Sequence, residues 1–385
     1  MRYKLKDLSL TKLEYGSGAA ACGFDGETRY VRITDIDENG TLNDDVVSPS
    51  QYDDKYILQN GDILFARTGA TVGKTFLYDE SYGKCLYAGF LIRMVPNQKI
   101  VNPYYIYYFT KSPRYLAFIE KNMKVVAQPN INAKQYGELD IDIPELGEQE
   151  TVVRKLNKLS SLISLRKQQL SKLDELVKSR FIEMFGEPES NPMHWEMLPL
   201  ENCLTVLGGY AFKSEEFKAS GIPVLRIGNI NTGVFTPTNM VYWAKDVSLE
   251  RYQVLPGDLV ISLTGTVGKD DYGNVCILGN AYPLYYLNQR NAKLNLGESL
   301  NKHYLSELLK FSQIKKKLTG ISRGVRQANI SNRDILNLVV PIPPIELQDQ
   351  YAAFVEQTDK SKFEIQQSLE KLETLKKALM QKYFG

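Results

Sequence analysis

The sequence predicts an α+β chain built twice. Two mixed α/β domains stand in tandem repeat, separated by two long antiparallel coiled-coil helices related by a pseudo-twofold. Three observations predict this. Gln128-Pro129-Asn130-Ile131 returns 199 positions later as Gln327-Ala328-Asn329-Ile330, and Ile143-Pro144, Gln149 and Phe185-Gly186 return at the same offset as Ile342-Pro343, Gln348 and Phe384-Gly385. Asn60-Gly61-Asp62-Ile63-Leu64 is echoed by Pro256-Gly257-Asp258-Leu259-Val260, and Thr68-Gly69 with Val72-Gly73-Lys74 by Thr264-Gly265 with Val267-Gly268-Lys269. Each copy ends in a leucine-spaced segment without proline or glycine. A duplicated unit should do the same thing at two places.

In the first domain, residues 1–147, short β-branched and aromatic runs predict strands at Tyr30 to Ile33, Ile63 to Ala66 and Leu86 to Val95; Gly, Asp and Asn punctuate them. Asn102-Pro103 supplies a preferred cap and a first-turn proline for a helix over Tyr104 to Phe109, and Ser112-Pro113 starts a second. Leu139 to Ile143 reads as an edge-like strand ended by Pro144. Residues 148–186 change character. Leu156, Leu159, Ile163, Leu170, Leu173 and Val177 recur at three-four spacing, a coiled-coil seam about 54 Å long at roughly 1.5 Å per residue. Gly186 stops it and Pro188 follows. Residues 187–347 repeat the mixed domain. Residues 348–385 repeat the helix, with Ile365, Leu369, Leu372, Leu375 and Leu379 as its stripe. A long helix cannot bury its stripe alone. Packing the two helices antiparallel solves this; the alternative packs each on its own domain.

The net charge is +2 and predicts no polyanion partner by itself. The four cysteines (Cys22, Cys85, Cys203, Cys276) are scattered and the histidines are only His194 and His303. That pattern predicts unpaired, buried thiols in a reducing cytoplasm and no zinc site. The polar N-terminus predicts no signal peptide, and no apolar run approaches the roughly 18 residues of a membrane span.

Charge by segment is more telling. Residues 111–134 hold five basic groups (Lys111, Arg114, Lys121, Lys124, Lys134) against Glu120. The matching residues 310–333 hold Lys310, Lys315, Lys316, Lys317, Arg323, Arg326 and Arg333 and no acid. One basic run is usually a solvated face. Two at equivalent positions, each leading into Gln-x-Asn-Ile, point to phosphate binding.

Motifs for catalysis fail on spacing. The glycines of Gly69-Ala70-Thr71-Val72-Gly73-Lys74 are one residue too close for a P-loop, and the second copy is shorter still. Asn102-Pro103-Tyr104-Tyr105 lacks the second proline of an adenine methyltransferase motif, and no Gly-rich cofactor motif precedes it. Neither histidine has a counterpart in the other copy, and Asp44-Asp45 and Asp53-Asp54 have none either. Recognition remains: Gln and Asn pair with adenine edges, Arg with guanine. Candidates present in both copies are Arg32 and Arg226, Thr68 and Thr264, Lys74 and Lys269, Gln128 and Gln327, Asn130 and Asn329. For the amides, backbone capping and DNA contact stand as alternatives. For the Thr-Gly…Val-Gly-Lys loop, so do a glycine-shaped hairpin and DNA contact. Half-sites that differ need readers that differ, so Arg67 facing Leu263 and Lys124 near Arg323 are departures of interest.

The chain resembles the specificity subunit of type I restriction–modification systems over nearly its full length. The Gly-Asp…Thr-Gly…Val-Gly-Lys blocks, the two Gln-x-Asn-Ile blocks, Ile222 to Ile230 and the Pro-x-x-x-x-Gln lead-in to each long helix carry the match. Val31-Arg32-Ile33-Thr34-Asp35-Ile36 departs from the Arg-Ile-Gly-Asn-Ile form of the second copy. The resemblance implies two target recognition domains, each reading half of a split duplex DNA target. It implies helices that bind two modification subunits, which methylate adenine using S-adenosylmethionine, and recruitment of restriction subunits. It implies no catalysis and no cofactor in this chain. An enzyme acting on DNA and a scaffold binding only proteins are the competing readings.

Overall fold

The computed structural model spans Met1–Gly385 and describes all residues but 124–128, 267, 270 and 321–326, with the side chain of Gln327 also outside the description. The chain divides into two compact units, Met1–Lys167 with Gln367–Gly385, and Gln168–Gln366. Each holds one mixed domain and half of each long helix.

In the first unit a four-stranded antiparallel sheet has the order Glu14–Tyr15, Leu91–Met94, Ile63–Ala66, Thr75–Leu77. Beside it Thr28–Val31 runs parallel to Lys84–Tyr87. The second unit repeats the sheet as Leu204–Gly208, Asn291–Leu296, Leu259–Ser262, Val275–Ile277, and the parallel pair as Ile222–Leu225 with Tyr285–Leu287. The predicted strand over Leu86 to Val95 is two strands. The turn Ala88-Gly89-Phe90 breaks it, with Leu91 donating to the Ala88 carbonyl and Gly89 to Ser17. The edge-like strand before Pro144 pairs only with Arg2–Lys4, as Val339–Ile342 pairs with Glu196–Pro199.

The repeated Gly-Asp block is a turn. Gly61 and Gly257 occupy the left-handed region (φ +89° and +88°), where a side chain would be strained. The following aspartate closes each turn: Gln59 N–H donates to Asp62 and Leu255 N–H to Asp258, both at 2.7 Å. Arg93 and Lys293 on the neighbouring strand complete the pair at 2.6 and 2.8 Å.

Asn102 and Asn301 cap the helices Pro103–Phe109 and Lys302–Leu308, each accepting a backbone N–H at 2.9 Å. The long helices run Leu146–Phe185 and Ile345–Phe384, and Gly186 ends the first with φ +77°. In the first unit Lys155 meets Tyr383 and Lys167 meets Glu373, so the two helical segments are antiparallel. In the second unit Asp174 meets Lys362 and the Val177 carbonyl accepts from Tyr351, the same sense. Leu156 and Val177 are buried in the cores of their units, Leu159 and Leu369 are also buried, and Ile163, Leu170, Leu173, Ile365, Leu372 and Leu379 are half-buried. Leu375 departs from the predicted stripe: it is 48 % exposed, while Met380 and Phe384 take the buried positions beyond it.

Three of the four thiols are buried, and Cys22 is exposed on its short strand, contrary to expectation; all four are unpaired. Burial pushes the Cys85 thiol up to about 11 and that of Cys276 to about 12. Among the described residues no helix is long and apolar enough to cross a membrane.

Candidate nucleic-acid interface

The repeated blocks meet in space although Arg67 and Asn130 are 63 residues apart in sequence. In the first unit the strand Ile63–Ala66 runs out into Arg67-Thr68, and Pro129-Asn130-Ile131 lies alongside it. Ile131 N–H donates to the Arg67 carbonyl at 2.8 Å, Gly69 N–H to that of Pro129 at 3.2 Å, and Thr68 faces Asn130 in an antiparallel bridge. In the second unit Thr264–Thr266 pairs antiparallel with Gln327–Asn329, and Ile330 N–H donates to Leu263 at 2.8 Å. Alternation along the extended backbone does the rest. Ile131 and Ile330 point into the core, while Asn130 and Asn329 are exposed. A short helix with a reciprocal cap follows each motif and fixes its end: Asn132 with Gln135, and Ser331 with Asp334.

The first unit elaborates this corner. The Arg67 guanidinium lies 4.6 Å from the Tyr15 ring centroid, and its Nε donates to Asn130 Oδ1 at 3.3 Å. Tyr15 is in turn held by the Ala133 N–H, which donates to its hydroxyl at 3.1 Å. The Asn130 side chain therefore serves another side chain rather than capping backbone. In the second unit Thr266 donates its N–H and hydroxyl to Asp271 at 2.8 and 2.9 Å, closing the loop that carries Lys269. The Thr266 N–H is the chief reason the Asp271 carboxyl sits below its ordinary range.

The other candidates divide. Lys121, Lys269, Lys316 and Lys317 are exposed and free to meet a polyanion. Lys315 is buried, its ammonium donating to Asn274 Oδ1 at 2.5 Å. Lys74 is turned to Glu38 at 2.9 Å and to the Ile36 carbonyl. Arg32 is gripped by Asp35 and Asp45, both at 2.7 Å, and Asp35 chiefly holds its charge on. Its counterpart Arg226 ties the Asn239 carbonyl at 2.6 Å. These two arginines close loops and do not join the corner. Lys124, Gln128, Arg323 and Arg326 lie outside the described residues, as does the side chain of Gln327. The basic stretches also carry less outward charge than their composition implied. Arg114 is paired with Asp142, Lys310 with Glu307, and Lys111 is half-buried.

The family described as "Type I restriction modification DNA specificity domain" matches residues 20–175 and again residues 192–377. The chain belongs to this family. It carries two tandem recognition domains and is a specificity subunit of a type I restriction–modification system, the non-catalytic DNA-recognition component. It is 25 % identical over 342 residues to the type I restriction enzyme MjaVIII specificity subunit of Methanocaldococcus jannaschii, covering 84 % of this chain and 78 % of that one. Over 206 residues it is 24 % identical to the EcoKI specificity subunit of Escherichia coli, 49 % of this chain and 42 % of that one. The fold is that of a crystal structure of the S subunit from M. genitalium, with TM-score 0.64, 15 % identity and 100 % and 96 % of the two chains covered. A chain from a structural study of type I complex assembly and conformational transition superposes with TM-score 0.55 at 18 % identity, covering 100 % and 97 %.

Two side chains of the specificity subunit's corner escaped the sequence reading. Phe90 is 59 % exposed and its carbonyl accepts from Arg67 N–H at 3.1 Å. Arg290 is exposed and its carbonyl accepts from Leu263 N–H at 2.8 Å. Aligning the copies would have shown the signal: these positions exchange an aromatic for an arginine next to otherwise matched strands.

Proposed function

We propose that this subunit reads a bipartite duplex DNA target, each unit taking one half-site through its exposed Thr-Gly/Asn-Ile corner. The paired long helices hold two modification subunits, which methylate adenine with S-adenosylmethionine, and the assembly recruits restriction subunits in the cytoplasm. An unread stretch of about one helical turn, roughly 34 Å, would separate the half-sites. One observation carries the reading: the same corner is built in both units from the same distant blocks, with an amide exposed at its edge and lysines on an adjoining helix. Phosphate contacts from Lys121, Lys269, Lys316 and Lys317 would position the duplex, and base edges would be read at the corners.

Co-expression with the modification subunit, followed by mapping of methylated adenines across the genome, tests this. A split motif that vanishes without this chain is expected. A soluble complex that adds no new methylation would overturn the reading in favour of a protein-only scaffold.

A further inference from the structure

We propose that Arg67 in the first unit and Arg290 in the second are the guanine-reading side chains of the two half-sites. They do so from opposite members of one backbone pair. The inference rests on the DNA-reading function proposed above and names the residues that set its specificity.

The pair in question is 67 with 90, and 263 with 290. In each unit the first residue's N–H donates to the second residue's carbonyl, at 3.1 and 2.8 Å. Each pair holds one arginine and one apolar residue, in opposite order: Arg67 with Phe90, Leu263 with Arg290. A structural need for an arginine at this corner would have kept it in one place. A need to read different sequences would move it.

Arg67 is prepared for the task. The guanidinium lies over the Tyr15 ring at 4.6 Å, and Asn130 takes its Nε. Among the described residues, no hydrogen bond or ion pair engages its two terminal nitrogens. Those two donors match guanine O6 and N7, and holding the guanidinium beforehand lowers the entropy lost on pairing. The second unit cannot do this at the same place. Leu263 is buried, and Gly208 stands where Tyr15 stands in the first unit, since Gly16 and Gly209 occupy matching bridge-flanking positions. There Arg290 is exposed; its backbone N–H bonds Asn288, and no described residue pairs with its guanidinium. The two guanines are therefore expected at different distances from the methylated adenine in the two half-sites.

The test uses the full complex with its modification subunit. Wild type, Arg67→Ala, Arg67→Lys and Arg290→Ala are compared by methylome mapping and by binding to cognate duplexes carrying single base-pair changes. Arg67→Ala should relax one G·C position in one half-site and Arg290→Ala one G·C position in the other. Each should cost about tenfold to a hundredfold in affinity for the cognate duplex and nothing for the duplex already changed there, as bidentate base contacts do. Arg67→Lys keeps the charge, so a folded complex with the same relaxed position confirms bidentate reading. An unchanged motif in Arg67→Ala and Arg290→Ala, or equal weakening on every sequence, overturns the inference and makes these arginines phosphate contacts or loop ties. If wild type shows no split motif at all, the underlying function fails rather than the assignment of Arg67 and Arg290.

Discussion

The junction where each long helix leaves its domain and the exposed corner where each domain meets solvent have followed opposite rules. At the junctions the two units are nearly superimposable in chemistry. Gln149 accepts from Asn102 N–H at 2.8 Å and donates to the Ile100 and Pro144 carbonyls at 3.0 and 2.8 Å. Gln348 accepts from Asn301 at 2.9 Å and donates to Ser299 and Pro343 at 3.0 and 2.8 Å. At the corners, Arg67, Tyr15 and Phe90 face Leu263, Gly208 and Arg290. The loops above also differ. In the first unit Asn39 and Glu38 reach Tyr107 and Lys74 and close over the helix Pro103–Phe109. The second unit instead keeps an open cleft of about 1380 Å³, lined by Lys178, Lys269, Lys310, Lys316 and Phe235. Repetition is retained where buried backbone groups must find partners, and it lapses where side chains face outward.

The core offers the strongest way to break the comparison. Phe181 is fully buried among Phe185, Tyr304, Phe311 and Tyr351, with ring centroids 4.9 to 5.5 Å away. Met380 holds the matching place in the first unit. Phe181→Ala should cost about 4 kcal/mol and Met380→Ala about 2 kcal/mol, because the rigid ring leaves the larger cavity. Both tryptophans, Trp195 and Trp243, belong to the second unit. Indole fluorescence in a urea titration therefore follows that unit, and far-ultraviolet dichroism follows both. Equal losses would mean that the two cores are not built as differently as their residues suggest.

Gln149→Leu and Gln348→Leu come next. Each strands one N–H and two carbonyls in a buried place, at about 3 kcal/mol. The shared geometry predicts the same loss for both, read as the shift in urea midpoint of each unit. A clear inequality would break the claim that the junctions are equivalent.

On binding, Lys316→Glu with Lys317→Glu and Lys121→Glu with Lys134→Glu should act alike. Each pair should weaken the complex about tenfold or more on every DNA sequence and lower the salt slope by roughly two. Loss confined to one sequence would instead make these lysines base readers. This sharpens the contrast with Arg67 and Arg290, whose loss is expected to be sequence-bound.

Much of the frame was legible because its signals are local. The asparagine caps, the Gly-Asp turns, the strand Ile63–Ala66 and the stop at Gly186 all follow from residues within a few positions of each other. The long helices begin at Leu146 and Ile345, two and three residues before the expected starts at 148 and 348, and Gln149 and Gln348 serve the domain rather than the seam. What could not be read was the pairing of Thr68 with Asn130 and Thr264 with Asn329, which depends on the whole fold. The same holds for the inward turn of Lys315 and Lys111 and for the surface pairing of Arg114 with Asp142. A composition count registers a charge but not the carboxylate, amide or ring that takes it.

Lys111 and Lys310, equivalent and chemically identical, are predicted to have opposite worth. Lys310 Nζ lies 3.2 Å from a nearly buried Glu307. At Lys111 that carboxylate is replaced by Tyr108; the ammonium sits 5.1 Å over the Tyr107 ring and 3.4 Å from the Thr75 carbonyl. Burial pushes Lys111 down to about 8, with Lys74 and Lys376 adding to the fall and Asp37 and Glu38 opposing it. The folded state therefore binds this proton less tightly than the unfolded chain. Below pH 8 both states are charged and the folded state carries the full desolvation cost. Between about pH 8 and the ordinary lysine range near 10.5 only the unfolded chain keeps the proton, so stability rises with pH. Lys111→Met should remove the cost, stabilising the first unit at pH 7 by on the order of 1 kcal/mol and flattening that rise. Lys310→Met should instead destabilise the second unit at pH 7, because it leaves Glu307 without its partner. Urea midpoints at pH 7 and pH 9.5 decide it, and stabilisation by both substitutions would show that the two lysines share one environment after all.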